Sequence, residues 1–308
     1  MMKILTVVLT LVILLIAVMI RQQIKYANIR RTIVQDRQPF LYAGDVFHAV
    51  TFFKLEDTAG LVESLSPFVR VIRENSKGKL VYAGQAVFTT GTGQLGEADW
   101  DAVIIVQYPS RREFEEIAGS DWYKSVLGEY SKTFTHGMNR PVAMNLMIHQ
   151  ALLLIKWMDI LKGNWQVEEL KPRPGLKEAD GEQGEQLKKI VDSLLALRAV
   201  NDKALVIFNL QLAGSKEQRE KTEQYDSKML TRMARLAHGP MHIGKAVMLN
   251  EDDVKFKTVV IVYYPGVEYF VSLIQSHFFQ GIIGKKQLGH NLSVPTVPIL
   301  SLLEAEKT

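Results

Sequence analysis

Seven histidines, at positions 48, 136, 149, 238, 242, 277 and 290, are the side chains best suited to hold a metal or move a proton near neutral pH. None stands at a metal-ligand spacing to an aspartate or glutamate. His238 and His242 are four apart, but Gly239 and Pro240 between them prevent a shared helical face, so no metal site is expected. Cysteine is absent, which removes thiolate catalysis, disulfides and Cys-ligated metals together. No serine sits in a Gly-x-Ser-x-Gly elbow, and no carboxylate pair is placed for glycoside chemistry. The run Gly91-Thr92-Gly93-Gln94-Leu95-Gly96 echoes a nucleotide-binding loop, but it joins two strands instead of opening a helix and is set aside. What stands out instead is aromatic: Tyr108, Trp122, Tyr123 and Tyr130, then Tyr263, Tyr264, Tyr269, Phe278 and Phe279. These residues either line an apolar pocket, where tyrosine hydroxyls would orient a flat or fatty ligand, or serve as core and inter-sheet packing.

The aromatics recur because the chain repeats itself. Gly84-Gln85-Ala86-Val87-Phe88 returns as Gly244-Lys245-Ala246-Val247-Met248, at an offset of 160. Ile104 to Pro109 returns as Val260 to Pro265, at an offset of 156 that also relates Phe114 to Phe270, Ser120 to Ser276, Trp122-Tyr123 to Phe278-Phe279 and Gly128 to Gly284. A constant offset through a strand, a turn and a helix reads as tandem duplication of one α/β unit, with the difference between offsets absorbed in a loop.

In the first unit the Val-, Phe- and Thr-rich run Val46 to Leu55 predicts a strand. The stripe Leu61, Leu65, Phe68, Val69, Ile72 predicts an amphipathic helix over 61–75, kinked or started late by Pro67. Strands are expected over Leu80 to Thr89 and Trp100 to Tyr108. After Pro109, Ser110 and Glu113 form a capping box for a helix that runs to about Tyr130 with a break near Gly119. A fourth strand is expected from Val142 to Ile148. The second unit repeats the order with strands at Ala204 to Leu212, Met241 to Leu249, Lys255 to Tyr264 and Val294 to Leu303, the last an edge or bulged strand because of Pro295 and Pro298. Its helices are Lys216 to Leu236 and Tyr269 to Ile283. Between the units lie apolar Ala151 to Leu161, an exposed loop from Pro172 to Gln186, and an amphipathic helix over Gln186 to Val200. The expected fold is therefore α+β: two tandem ferredoxin-like β-α-β-β-α-β units, residues 45–148 and 203–308, around a helical connector, 149–202.

The 308 residues suffice for two ordinary domains, and the mild net charge of +4 without a basic, aromatic-interleaved stripe argues against nucleic acid. Residues 1–21 carry an apolar run, Ile4 to Ile20, that ends without a small-x-small cleavage site. An uncleaved single-pass membrane anchor is expected. Lys3 precedes the run, whereas Arg21, Lys25, Arg30, Arg31 and Arg37 follow it, which places the body on the cytoplasmic side of the cell membrane. Residues 22–44 read as a polar, basic stalk beside the membrane.

The strand ending Tyr108-Pro109-Ser110, the following helix with Phe114, the run Ser120-Asp121-Trp122-Tyr123 and then Tyr130 resemble a family of domains of unknown function in the dimeric α/β-barrel superfamily. The match covers about thirty residues of the first unit, with a fainter echo in the second. It implies two sheets that close a barrel around a central cavity, here as an internal pseudo-dimer. Relatives in that superfamily include antibiotic-biosynthesis monooxygenases and haem-degrading oxygenases, so fold membership does not assign one chemistry. The haem-degrading relatives place an asparagine on the first strand and a histidine on the second helix, which Asn209 and His277 match by position. No tryptophan stands on the neighbouring third strand, and the first unit has Phe53 and Asp121 at about these places, so only the second half carries the pair.

Two functions follow as expectations. The first is a membrane-anchored cytoplasmic binding or scaffolding module, whose cavity between the units is lined by Tyr108, Trp122, Tyr123, Tyr264 and Phe278 and takes a small apolar ligand or protein partner. The second is a cofactor-independent monooxygenase or haem-handling enzyme, with His277 and Asn209 as its catalytic residues and haem as the alternative cofactor.

Overall fold

The β-branched and aromatic runs form nine strands in the computed structural model, which describes residues 2–39, 42–56, 60–167, 169–171, 182–236, 238–249 and 255–305. The first half contributes β1 (Phe47–Lys54), β2 (Lys79–Ala86), the short β3 (Thr90–Gly91), β4 (Ala102–Tyr108) and β5 (Lys132–Asn139); the second contributes β6 (Leu205–Ala213), β7 (Gly239–Val247), β8 (Thr258–Tyr264) and β9 (Leu288–Pro298). Hydrogen bonding runs in the order β2-β4-β1-β5-β7-β8-β6-β9, and β9 returns to β2. Every pairing is antiparallel, so the result is a closed eight-strand barrel. Two seams join the halves, with Met138 opposite Ala246 and Ala86 opposite Thr296.

Strand alternation sorts the side chains into two cores. Val50 and Phe52 of β1, Phe134 and Met138 of β5, Val206, Phe208 and Leu210 of β6, and Ile261 and Tyr263 of β8 share one buried cluster. Phe52 meets Phe208 at 6.0 Å between ring centroids, and the Tyr82 hydroxyl lies 2.7 Å from Thr296 Oγ1, so the two walls touch. The expected central cavity between the units is thus occupied by side chains. The opposite face of the first-half sheet packs under α2 (Leu61–Asn75), α4 (Arg111–Gly119) and α5 (Asp121–Gly128), with Phe47, Phe53, Phe68, Phe114 and Tyr123 at its centre. The equivalent face of the second half lies under α8 (Lys216–Leu236), α9 (Val267–Ile274) and α10 (His277–Gln280).

Several expectations are corrected. The last strand of the first half is Lys132–Asn139, and Val142 instead opens α6 (Val142–Leu161) behind Pro141. Met, Leu and Ala favour a helix there, whereas Thr133, Phe134 and Thr135 are β-branched or aromatic and suit a strand. The helix α2 starts at Leu61 and simply contains Pro67. β9 is not an edge. Pro295 falls between the stretch paired to β3 (292–293) and the stretch paired to β2 (296–298), and the chain then turns into α11 (Leu300–Ala305). The loop Gly91 to Asp99 contains α3 (Gly93–Gly96). α7 (Glu182–Ala196) supplies the connector's second helix, while the expected loop over 172–181 lies outside the described residues.

One helix, α1 (Met2–Thr32), is long and apolar enough to cross a membrane, with an 18-residue window of mean hydropathy 2.9 that is wholly unburied. Its second half does not form a free stalk. Gln23, Tyr26, Ala27 and Arg30, spaced i, i+3, i+4, i+7, turn one buried face to the body. The chain then runs on to place Val34, Asp36 and Gln38 in the interior, held by Arg37 N donating to Val81 O at 2.6 Å.

Candidate functional site

The second half holds the pocket best placed to take a ligand, and its position follows from sequence. α8 is strongly polar and gives the sheet Tyr225, Met229 and Met233, where α2 gives the first half Leu61, Leu65, Phe68, Val69 and Ile72. Between the outer face of β6, β8 and β9 and the helices α8, α9 and α10 lies a pocket of about 590 Å³, its walls including Ile207, Asn209, Tyr225, Met229, Tyr264, Phe270 and Phe279.

Polar groups are few and local. Asn209 is half-buried; its Nδ2 donates to Val260 O at 3.3 Å, and its Oδ1 accepts from the Ser293 hydroxyl at 3.0 Å. Lys286 and Asp226 also line the pocket. Burial lowers the Lys286 pKa against the opposing pull of Asp226, and burial raises the Asp226 pKa against the pull of Lys286. The Lys286 ammonium sits 5.6 Å from the centroid of the Tyr225 ring, a cation–π contact. Tyr264 is buried against Phe270, with ring centroids 4.9 Å apart, and burial holds its hydroxyl neutral far into the alkaline range.

Of the seven residues singled out from sequence, Asn209 and Tyr264 line this pocket. His277 is exposed at the first turn of α10, outside the lining; its backbone N–H donates to Lys171 O at 3.1 Å. Phe278 packs on the Arg232 guanidinium, 5.2 Å from its ring centroid. Tyr108, Trp122 and Tyr123 belong to the first half: Tyr108 is buried against Phe114, and Trp122 stands edge-on to Tyr123 at 5.8 Å. The five aromatics therefore do not border one space. Tyr225, Met229 and Lys286 went unnoticed in the sequence. Tyr225 and Met229 stand i, i+4 on a helix that otherwise reads as solvated, which is the one signal that pointed inward.

A second polar concentration closes one end of the barrel interior. Asp36 lies 3.6 Å from His242 Nε2 and 4.0 Å from Arg30 Nε, while the rings of His48 and His242 are 6.1 Å apart. Burial pushes the pKa of both histidines well below the usual value, with Arg140 adding to the effect, and raises that of Asp36. Arg140, itself fully buried, is lowered to about 10 by burial. Among the described residues no group of three or more metal-ligating side chains converges.

Haem needs an axial donor from the protein. No histidine lines the pocket, and His277, expected as a catalytic residue for the haem alternative, lies off it, so the arrangement does not fit haem there and no haem step is drawn.

The barrel is closed and antiparallel, with its helices on the outside. No family profile and no curated protein matches the chain. Among solved structures, a candidate monooxygenase from Fusobacterium nucleatum is 8% identical, with 84% of this chain and 94% of that one covered and a TM-score of 0.39. An anthrone oxidase-like protein is 10% identical, with 83% and 92% covered and a TM-score of 0.40. A mutant chlorite dismutase from Candidatus Nitrospira defluvii is 10% identical, with 86% and 97% covered and a TM-score of 0.36. At these identities none of them assigns a role to a residue of this chain.

Proposed function

We propose that this protein is a membrane-anchored ligand-binding module built from tandem ferredoxin-like units, and that its ligand is an apolar molecule bearing one acidic group. The observation that carries the reading is the second-half pocket, apolar along most of its wall and supplied with a single lysine, Lys286, beside Asp226, and with the amides of Asn209, Gln211 and Asn291. A hydrocarbon or aromatic body fits among Tyr225, Met229, Phe270 and Phe279, and a carboxylate or phenolate pairs with the ammonium. The apolar stretch of α1 serves as the anchor, and exposed Arg21, Lys25, Arg31 and Arg37 after it favour a cytoplasmic body. No feature of the fold favours scaffolding over ligand binding.

The test is a titration of the full-length protein in nanodiscs with a fluorescent fatty acid and its methyl ester. Met229→Trp, which fills the pocket, is expected to weaken both at least tenfold, and Lys286→Met to abolish the preference for the acid. Unchanged binding by the Met229→Trp protein would overturn the reading.

One observation favours a second reading, a cofactor-independent monooxygenase. Lys286, its pKa lowered by burial, is suited to take the proton of a bound phenol, leaving an electron-rich phenolate to react with dioxygen. Oxygen uptake on adding a bound phenol, lost in Lys286→Met, distinguishes the two.

A further inference from the structure

α6 carries an apolar stripe that the body leaves uncovered. Met144, Met147, Ala151, Leu154, Met158 and Leu161 recur at helical spacing along one side, and every one is exposed, Leu154 at 61% and Leu161 at 79%. Trp157 flanks the stripe, and Trp165 extends it at 73% exposure. The helix is not loose. His149 and Leu152 are buried on its inner side, and Asp159 pairs with Arg235 of α8 at 3.4 Å. A helix held this firmly with its outer face bare presents that face for a purpose.

Where α6 meets α1 says what covers it. Gln150 Nε2 donates to Met19 O at 3.1 Å, Gln22 Nε2 donates to His149 O at 3.4 Å, and Gln23 Nε2 donates to Leu146 O. These contacts fall at the end of the apolar run of α1, the level at which a spanning helix leaves the hydrocarbon. Residues 3–20 of α1 are all exposed, so α6 does not continue alongside the span; it crosses at the boundary and stays on the body. The charges around the crossing agree. Arg21 and Lys156 both lie near enough to Lys25 for their charges to act on it, and among the described residues none of the three makes an ion pair.

We propose that the outer stripe of α6 rests in the surface of the bilayer that α1 crosses, with Leu154, Met158 and Leu161 among the acyl chains, Trp157 and Trp165 at headgroup depth, and Arg21, Lys25 and Lys156 against anionic headgroups. This rests on the anchor reading of α1. It makes the protein a two-point membrane binder whose barrel is held at a fixed orientation to the membrane, not swung on a stalk.

The chain has no cysteine, so single-cysteine variants carry one nitroxide each. The full-length protein is placed in vesicles of phosphatidylcholine and phosphatidylglycerol with labels at Ile13→Cys in α1, at Leu154→Cys and Leu161→Cys in α6, and at exposed Arg112→Cys as a water reference. Collision rates with oxygen and with a water-soluble nickel chelate are compared. The oxygen-to-nickel ratio at 154 and 161 is expected to exceed that at 112 several-fold. A lipid-like ratio at 13 with water-like ratios at 154 and 161 overturns the α6 proposal and leaves the anchor intact. Water-like ratios at all three overturn both. Spin–spin broadening at 154 that persists on dilution into excess lipid means a second copy covers the stripe, and also overturns the proposal.

Discussion

Thr51 and Asn209 occupy the same register position in the two halves of the barrel. Thr51 lies between Ile104 and Thr135, and Asn209 between Val260 and Ser293. Each joins its neighbour on the outer strand, Thr51 Oγ1 to Thr135 Oγ1 at 3.0 Å and Ser293 Oγ to Asn209 Oδ1 at 3.0 Å. What differs is the residue above. In the first half the Tyr123 hydroxyl hydrogen-bonds to Thr135 and Thr51, which moderates the burial that pushes its pKa up to about 12. In the second half Phe279 stands at the corresponding place, 156 residues on, and has no hydroxyl to give. The polar pair there faces the pocket. The first-half counterpart of Asn209 is therefore Thr51, not Phe53, which meets Phe68 and Tyr130 edge-on.

Restoring the missing hydroxyl tests this account. Phe279→Tyr is expected to reach Asn209 or Ser293, stabilise the second half by about 1 kcal/mol, and weaken binding of the fluorescent fatty acid. Tyr123→Phe is expected to destabilise by a similar amount without touching that binding. Urea midpoints and probe titrations on the two variants check it; tighter binding by Phe279→Tyr would contradict it.

The two seams depend on glycines. A Cβ on Gly244 would lie 2.5 Å from Asn139 O across the β5–β7 seam, and one on Gly84 would lie 2.7 Å from Thr296 Oγ1 at the β2–β9 seam. Backbone oxygen cannot move aside as a flexible side chain can. Gly244→Ala is expected to cost roughly 1–3 kcal/mol, whereas Gly119→Ala, with nothing within 4 Å of the added carbon, should cost nothing measurable. Equal thermal midpoints for the two variants would show that the seam tolerates the shift.

The same two glycines stand at the start of the 160-residue offset read from the sequence. Each sits where the second strand of one half meets the last strand of the other. Strand periodicity, the capping box at Ser110, whose hydroxyl accepts from Glu113 N at 3.2 Å, and the break at Gly119 were equally readable, because each depends on near neighbours. The last first-half strand was not, because Gly137 and polar Lys132, His136 and Asn139 dilute its pattern and its burial is decided by the other half across the seam. The pocket was half-legible. Asn209 announced itself as an amide in an apolar strand, but Lys286 lies between α10 and β9 in a segment with no period to read.

His277 provides a direct check on the site. It is exposed and off the pocket, so His277→Ala is expected to change neither stability nor fatty-acid affinity by more than about 0.5 kcal/mol. A tenfold loss of binding would return it to the site beside Asn209.

Acid should unfold this protein early, and the sign follows from its buried histidines. Burial lowers His136 to about 4 and His238 and His149 to about 3, and His48 and His242 are also held low. An unfolded histidine titrates near 6.5. Between 6.5 and those folded values the unfolded chain binds more protons than the folded one, so stability is complete above about 6.5 and falls as the pH drops. Each histidine contributes a slope of up to about 1.4 kcal/mol per pH unit. Asp36 acts in the opposite sense, because its raised pKa lets the folded state take up a proton first, but it is one group against five. The urea midpoint of the full-length protein in detergent is expected to fall steeply from pH 7 to pH 5. His136→Phe, which keeps a ring beside Phe52 and Phe134 but cannot be protonated, should shallow that fall by one histidine's share. A midpoint independent of pH over this range would mean that these histidines are hydrated in the folded protein.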